Sequence, residues 1–187
     1  MSGDGWEVLR EDVLLATPHV RVVRETLRTP TRPDGREWMR VSRKVGVAVA
    51  PRRPDGSFIL IREERVPVRR EFWQFPAGQV EGSGGEDAVA AAARRELKEE
   101  AGCTAMGRLD YLGKFYTSPG FTDEVTHQFL AAEVEWDPAA VCHDHDEQIL
   151  EVRAFSADEL REMITQGAIE DANTLALYAR LAAGRFL

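Results

Sequence analysis

Arg95-Glu96-Leu97-Lys98-Glu99-Glu100-Ala101-Gly102 is the stretch whose residue types and spacing could do chemistry. On an α-helix, Glu96 and Glu100 stand one turn apart at i and i+4, and Glu99 lies at i+3 from Glu96, so three carboxylates crowd one face. Exposed like charges at this spacing cost a helix only about 0.2–0.5 kcal/mol, so a solvated acidic stripe is the plain reading. Beside a glycine-rich loop the same carboxylates make an oxygen-rich site suited to Mg²⁺ or Mn²⁺. Arg95 either orients them or is an ordinary surface partner of Glu99.

Such a helix needs elements that hold it. Gly78 to Gly85 is glycine-rich and reads as a tightly bent loop. Asp87 to Ala101 follows as a helix of strong helix formers, with Gly102 as its stop. Upstream, Val45 to Ala50 and Phe58 to Ile61 are unbroken apolar runs, the pattern of strands buried on both faces. Further strands are expected at Arg108 to Phe115, Glu124 to Glu133 and Ile149 to Phe155. Ser156-Ala157-Asp158-Glu159 opens a second helix with a capping-box pattern, and Asp171 to Gly184 forms a third. Residues 6–43 alternate apolar and charged positions around the Pro30 to Gly35 turn, as a β-hairpin or meander does. Strands first, then strands mixed with helices, favour an α/β or α+β sandwich.

The chain has 187 residues, enough for one domain and a small appendage. Its 24 Lys and Arg against 32 Asp and Glu leave a formal charge of −8, which argues against nucleic-acid binding. An anionic ligand remains compatible if a metal supplies the positive charge. Cys103 and Cys142 are too few for a disulfide framework, so a reducing, cytoplasmic setting is expected. No apolar stretch is long enough for a membrane span, and the N-terminus is acidic where a signal peptide would be basic.

Phe75-Pro76-Ala77-Gly78, the glycine-rich loop with Glu86, and Arg95 to Gly102 together resemble the Nudix box of the Nudix hydrolases, G-x5-E-x7-R-E-U-x-E-E-x-G-U with U apolar. The loop is longer than the pattern, and either Glu86 or Asp87 fills its first acidic position. The resemblance implies an α/β fold: a Nudix α/β/α sandwich over residues 44–187 with an N-terminal antiparallel β-sheet over 1–43. It also implies Mg²⁺, with Mn²⁺ as substitute, held by Glu96, Glu99, Glu100 and the carbonyl of Ala77, while Arg95 orients the carboxylates.

Ser118-Pro119-Gly120-Phe121-Thr122-Asp123-Glu124 resembles a segment of the ADP-ribose pyrophosphatase branch. Arg62-Glu63-Glu64-Arg65-Val66-Pro67 and Trp73-Gln74-Phe75-Pro76-Ala77-Gly78 are similar to its R-Q-Y-R-x-P and W-E-x-P-A-G segments, and Asp171 to Leu177 to its last helix. Members of that branch are typically homodimers that exchange N-terminal strands, so residues 1–43 are expected to dimerise. By this resemblance Arg65 faces the diphosphate or the terminal ribose phosphate, Trp38 stacks on the base, and Pro119, Asp123 and Glu124 contribute to substrate binding. A lone tryptophan serves equally as core or interface packing.

Two departures from the branch bear on the chemistry. Gln74 stands where it usually has Glu, and Gln148 stands where a catalytic Glu is usual. Glutamine cannot take a proton from water, so Glu147 is assigned as general base, with Asp146 as runner-up. The catalytic set is therefore Glu147, Glu99 and Arg95. Cys142-His143-x-His145 is read as a polar loop without a metal, and His127 as a packed strand residue. The implied activity is hydrolysis of ADP-ribose to AMP and ribose 5-phosphate. The alternatives are GDP-mannose or another nucleotide sugar, or a nucleotide-sugar binding or sensing protein with weak turnover.

Overall fold

A computed structural model describes residues 5–82, 85–142 and 148–187. It is a mixed α/β structure that divides into two compact units, Met1–Lys44 with Tyr116–Val125, and Val45–Phe115 with Thr126–Leu187.

In the first unit, β1 (Glu7–Ala16), β2 (Arg21–Thr29) and β3 (Arg32–Ser42) form an antiparallel sheet in the order β1-β2-β3. β1 is exposed along nearly its whole length, including Val8, Val13 and Leu15, whereas β2 buries Val23 and Glu25. Buried charge needs a partner, and Arg40, opposite Val23 on β3, supplies it to Glu25 through Nε and Nη2 while Nη1 reaches Asp123 and Ser42. These hydrogen bonds, Glu25 foremost, hold the Arg40 guanidinium above its ordinary pKa. The 116–125 segment joins this unit through a parallel bridge between Val41 and Thr122, with Val41 N–H donating to the Phe121 carbonyl at 2.8 Å.

The second unit begins with β4 (Gly46–Pro51) and β5 (Phe58–Arg65), followed by β6 (Arg70–Gln74), β7 (Ala77–Gln79), α1 (Glu86–Ala101) and β8 (Cys103–Ala105). It continues with β9 (Asp110–Tyr116), β10 (Val125–Ala131), β11 (Val134–Trp136), β12 (Ile149–Phe155), α2 (Ala157–Thr165) and α3 (Ala172–Ala183). The sheets run β7-β4-β10-β9, β12-β5-β6 and β11-β8, with β4 and β10 parallel. Strand alternation explains the unbroken apolar runs. Val47, Val49, Ile59 and Ile61 join one core with Val89, Ala93, Leu97 and Ala101 of α1. Ala48, Ala50, Phe58 and Leu60 join a second core with Leu160 of α2 and Leu177 and Leu181 of α3. The strands thus lie between α1 on one side and α2 with α3 on the other.

Local signals set the helix ends. Gly102 closes α1 at φ +64°, and a Cβ there would also lie 2.2 Å from the Asp137 carbonyl oxygen, so the position needs glycine for both conformation and space. Ser156 and Glu159 form the capping box of α2. Asp171 caps α3 by accepting from Thr174 N–H at 2.8 Å.

Candidate active site

α1 turns toward the strands with Val89, Ala92, Ala93, Leu97 and Ala101, and on that inward side it also carries Glu96 and Glu100, which are 3% and 1% exposed. An acidic stripe left to solvent would not be buried. Two carboxylates withdrawn from water need donors; β7 supplies one for Glu100 and Arg95 supplies one for Glu96. The Ala77 N–H donates to Glu100 Oε2 at 2.8 Å. Arg95 Nη2 donates to Glu96 Oε1 at 2.6 Å and to the Gln79 carbonyl at 3.2 Å, while Nη1 donates to Glu99 Oε2 at 2.9 Å. Arg95 therefore ties the acidic turn of α1 to β7. Burial alone would lower the Arg95 pKa, but the charge of Glu96 and the bond to Glu99 outweigh it and raise the pKa.

The strand geometry explains why Ala77 is available. Ala77 pairs with Ala48 across an antiparallel ladder whose neighbouring bond runs from Val49 N–H to the Pro76 carbonyl. A residue between hydrogen-bonded positions aims both its N–H and its C=O away from the partner strand. Since β7 is the edge of its sheet, the Ala77 carbonyl shares the free edge on which its N–H meets Glu100. Next to it, Gly78 leaves the space that the Glu96 carboxylate fills, because a Cβ on Gly78 would sit 1.9 Å from Glu96 Oε1.

Those donors fit a hard divalent cation. Two buried carboxylates, a half-exposed third in Glu99 and a backbone carbonyl at a sheet edge are all oxygen. Among the described residues no three His, Cys, Asp or Glu side chains already converge as a cage. Glu99 is turned onto Arg95 instead.

Arg65, at the end of β5, meets two buried partners that include a residue outside the expected set. Its Nε donates to Gln74 Oε1 at 3.1 Å and its Nη1 lies 3.1 Å from Glu63 Oε1, while Gln74 Nε2 donates to Glu63 Oε2 at 2.6 Å. Glu63 is 4% exposed. Ile59 and Ile61 precede it at every second position, so strand alternation already placed residue 63 on the inward face.

Glu147, Asp146, His143 and His145 lie outside the described residues, but both flanks of that stretch are anchored. Cys142 N–H donates to the Glu99 carbonyl at 2.9 Å, and Glu64 N–H donates to the Gln148 carbonyl at 3.0 Å. Cys142 is thus tied to the acidic turn of α1, and Gln148 to β5 next to Glu63. Glu86 and Asp87 both sit exposed in the first turn of α1, where the helix dipole favours acids.

Trp38, Pro119, Asp123 and Glu124 belong to the other unit. Trp38 is 42% exposed on β3 with the Arg36 guanidinium 5.0 Å from its ring centroid. Asp123 accepts from Ser42 Oγ at 2.8 Å and pairs with Arg40. Glu124 lies 3.2 Å from Arg43 and accepts from Thr117 Oγ1 at 2.7 Å, and Pro119 is at an exposed turn. His127 is half-buried, 3.1 Å from the Tyr111 hydroxyl, and burial together with the Lys114 charge lowers its pKa. Burial pushes the Cys103 thiol up to about 12, which removes it as a nucleophile.

With this geometry in hand, residues 42–178 match the NUDIX domain family. The chain is 35% identical over 144 residues to an ADP-ribose pyrophosphatase from Bacillus subtilis (strain 168), covering 76% of this chain and 75% of that protein. It is 31% identical over 191 aligned positions to a GDP-mannose pyrophosphatase from Cronobacter sakazakii (strain ATCC BAA-894), covering 94% of each. A methanol dehydrogenase activator from Bacillus methanolicus is 30% identical over 157 residues, covering 83% of this chain and 82% of its own. The crystal structure of an ADP compounds hydrolase superposes with a TM-score of 0.78 at 21% identity, covering 96% of this chain and 93% of that one, so the fold is shared.

Proposed function

Given that the chain belongs to the Nudix family, we propose that it hydrolyses the diphosphate of a nucleoside diphosphate sugar in a Mg²⁺-dependent reaction, with ADP-ribose as substrate and AMP and ribose 5-phosphate as products. The observation that carries this reading is the burial of Glu96 and Glu100 against the Ala77–Gly78 edge of β7, an investment of charge that packing alone would not favour.

Glu96, Glu100, Glu99 and the Ala77 carbonyl would hold the divalent ion. When bound, such an ion lowers the pKa of water and neutralises charge on the diphosphate oxygens. Arg95 keeps Glu96 and Glu99 in place. Glu147 accepts the proton of the attacking water, a role supported by the anchoring of its flanks on Glu99 and Glu64. Arg65 takes the diphosphate, since a guanidinium can bond phosphate bidentately. Trp38 stacks on the base, and Pro119, Asp123 and Glu124 contribute to substrate binding.

The exposed apolar side chains of β1, Val8, Val13 and Leu15 among them, support a second copy of the chain as the partner of residues 1–43. A cytoplasmic setting is compatible with the free thiols of Cys103 and Cys142, and no helix among the described residues is long and apolar enough to cross a membrane. GDP-mannose is the second reading, favoured by a relative of that activity that aligns over 94% of the chain.

Incubation of ADP-ribose and GDP-mannose in parallel with the protein and Mg²⁺ in ¹⁸O-water tests activity, substrate and point of attack together. Preferential cleavage of ADP-ribose, with label on one product phosphate, is the expected result. Cleavage of neither, with tight binding of one, would replace the enzyme by a nucleotide-sugar sensor.

A further inference from the structure

Glu63 and Gln74 hold each other's expected chemistry. The segments that Arg62 to Pro67 and Trp73 to Gly78 resemble, R-Q-Y-R-x-P and W-E-x-P-A-G, have an amide second in the former and a carboxylate second in the latter. In this chain the acid is Glu63 and the amide is Gln74. The two residues are eleven apart in sequence and adjacent in space, with Gln74 Nε2 donating to Glu63 Oε2 at 2.6 Å. β5 and β6 pair antiparallel with Ile61 opposite Gln74 and Glu63 opposite Phe72, so the two side chains are diagonal neighbours on one face. Both are buried, at 4% and 1% exposure.

Each member fits the other's donor and acceptor inventory. A carboxylate only accepts, and an amide donates from nitrogen and accepts at oxygen. Gln74 therefore donates to Glu63 while its oxygen accepts from Arg65 Nε at 3.1 Å, and Arg65 Nη1 lies 3.1 Å from Glu63 Oε1. Two carboxylates here would repel at 2.6 Å, and two amides would leave Arg65 without its counter-charge. Arg65 also lines a concavity of about 350 Å³ of mixed charge, together with Arg69 and Arg70 and with Glu64, Val66 and Glu71.

We propose that Glu63 and Gln74 form an exchanged carboxylate–amide pair: Glu63, and not residue 74, carries the charge that fixes the Arg65 guanidinium, and Gln74 locks both. Glu63 is a positioning residue that acts through Arg65. What Arg65 then meets, the diphosphate, rests on the hydrolase reading above; the existence of the pair does not.

The test is a cycle of E63Q, Q74E and the exchange E63Q/Q74E, read by melting temperature, by calorimetric affinity for ADP-ribose in EDTA, and by KM and kcat in Mg²⁺. E63Q keeps one acceptor for Gln74 but turns an amide N–H toward the Arg65 guanidinium, so its melting temperature falls, while affinity falls and KM rises about tenfold with kcat changing less. Q74E melts at least about 3 °C lower. The exchange variant, which restores one carboxylate and one amide, recovers melting temperature and affinity to near wild type. Additive effects in the double variant, or an E63Q protein with unchanged affinity and KM, overturn the proposal. If the wild type neither binds nor cleaves ADP-ribose, the hydrolase reading for this substrate fails, and the melting temperatures of the cycle still decide whether the pair exists.

Discussion

Gly78→Ala isolates the packing of Glu96 against β7. The added Cβ would stand 1.9 Å from Glu96 Oε1, 2.2 Å from Cδ and 2.9 Å from Oε2. Ordinary contact between such atoms begins near 3.4 Å, so the carboxylate must retreat by about 1.5 Å. It cannot do so in place, because Arg95 holds it at 2.6 Å and is itself tied to the Gln79 carbonyl and Glu99. The moving group is the end of a side chain, so the fold yields cheaply, by about 1 kcal/mol, the low end of overpacking costs. The chemistry does not: a displacement of about 1 Å in a positioned catalytic group costs on the order of 10²-fold in rate. Urea denaturation alongside steady-state hydrolysis of ADP-ribose measures both. The expected result is near-native stability with kcat/KM lowered about 10²-fold. Gly102→Ala is the counter-case, since its Cβ would meet the Asp137 carbonyl oxygen at 2.2 Å at φ +64°, and backbone must move. It should lower stability in the first place. A G78A protein with full activity would refute the placement of Glu96 in the site.

Three further outcomes are expected. Glu100→Gln retains an oxygen for the Ala77 N–H and so keeps the fold, but should lose about 10²-fold or more in kcat and weaken Mg²⁺ uptake by calorimetry. The carboxyl of Glu159 is held below its ordinary pKa by the backbone and side-chain hydrogen bonds of Ser156. A depressed carboxylate stabilises above its unfolded pKa and ceases to as pH falls through the folded value, so Glu159→Gln should melt below wild type at pH 7, and the gap should close as pH falls through the lowered pKa of the folded protein. Cys142 is exposed, and Cys103 is buried with its thiol pushed up to about 12, so a thiol reagent at pH 8 should titrate one cysteine in the native protein and two after denaturation.

The parts of this structure governed by short-range periodicity could be read from sequence. Val47 to Ala50 alternate between two cores, which is why the run is apolar throughout. The stop at Gly102 and the Ser156–Glu159 box are local backbone chemistry. The carboxylate spacing on α1 was equally legible, although whether those acids faced water or the sheet was decided by β7, more than fifteen residues upstream. What escaped depends on pairing at a distance. Glu63 looked like one charge among several until β6 brought Gln74 beside it. The expected strand from Glu124 to Glu133 begins as Val125–Ala131, and the residues before it join the N-terminal unit through Val41 and Thr122, a partnership no sequence window spans.

The buried acids of α1 also bear on how the chain assembles. A helix that docked early would carry two carboxylates into an apolar layer before any donor waited there. One that docked late would leave the Ala77 N–H and the Gln79 carbonyl at a bare edge. The first order is uphill and the second leaves those groups to water, so the acids of α1 are expected to be withdrawn from water only once β7 is in place. Folding-rate analysis should then give substitutions in β7 a fractional value at least as high as substitutions in the acidic turn of α1.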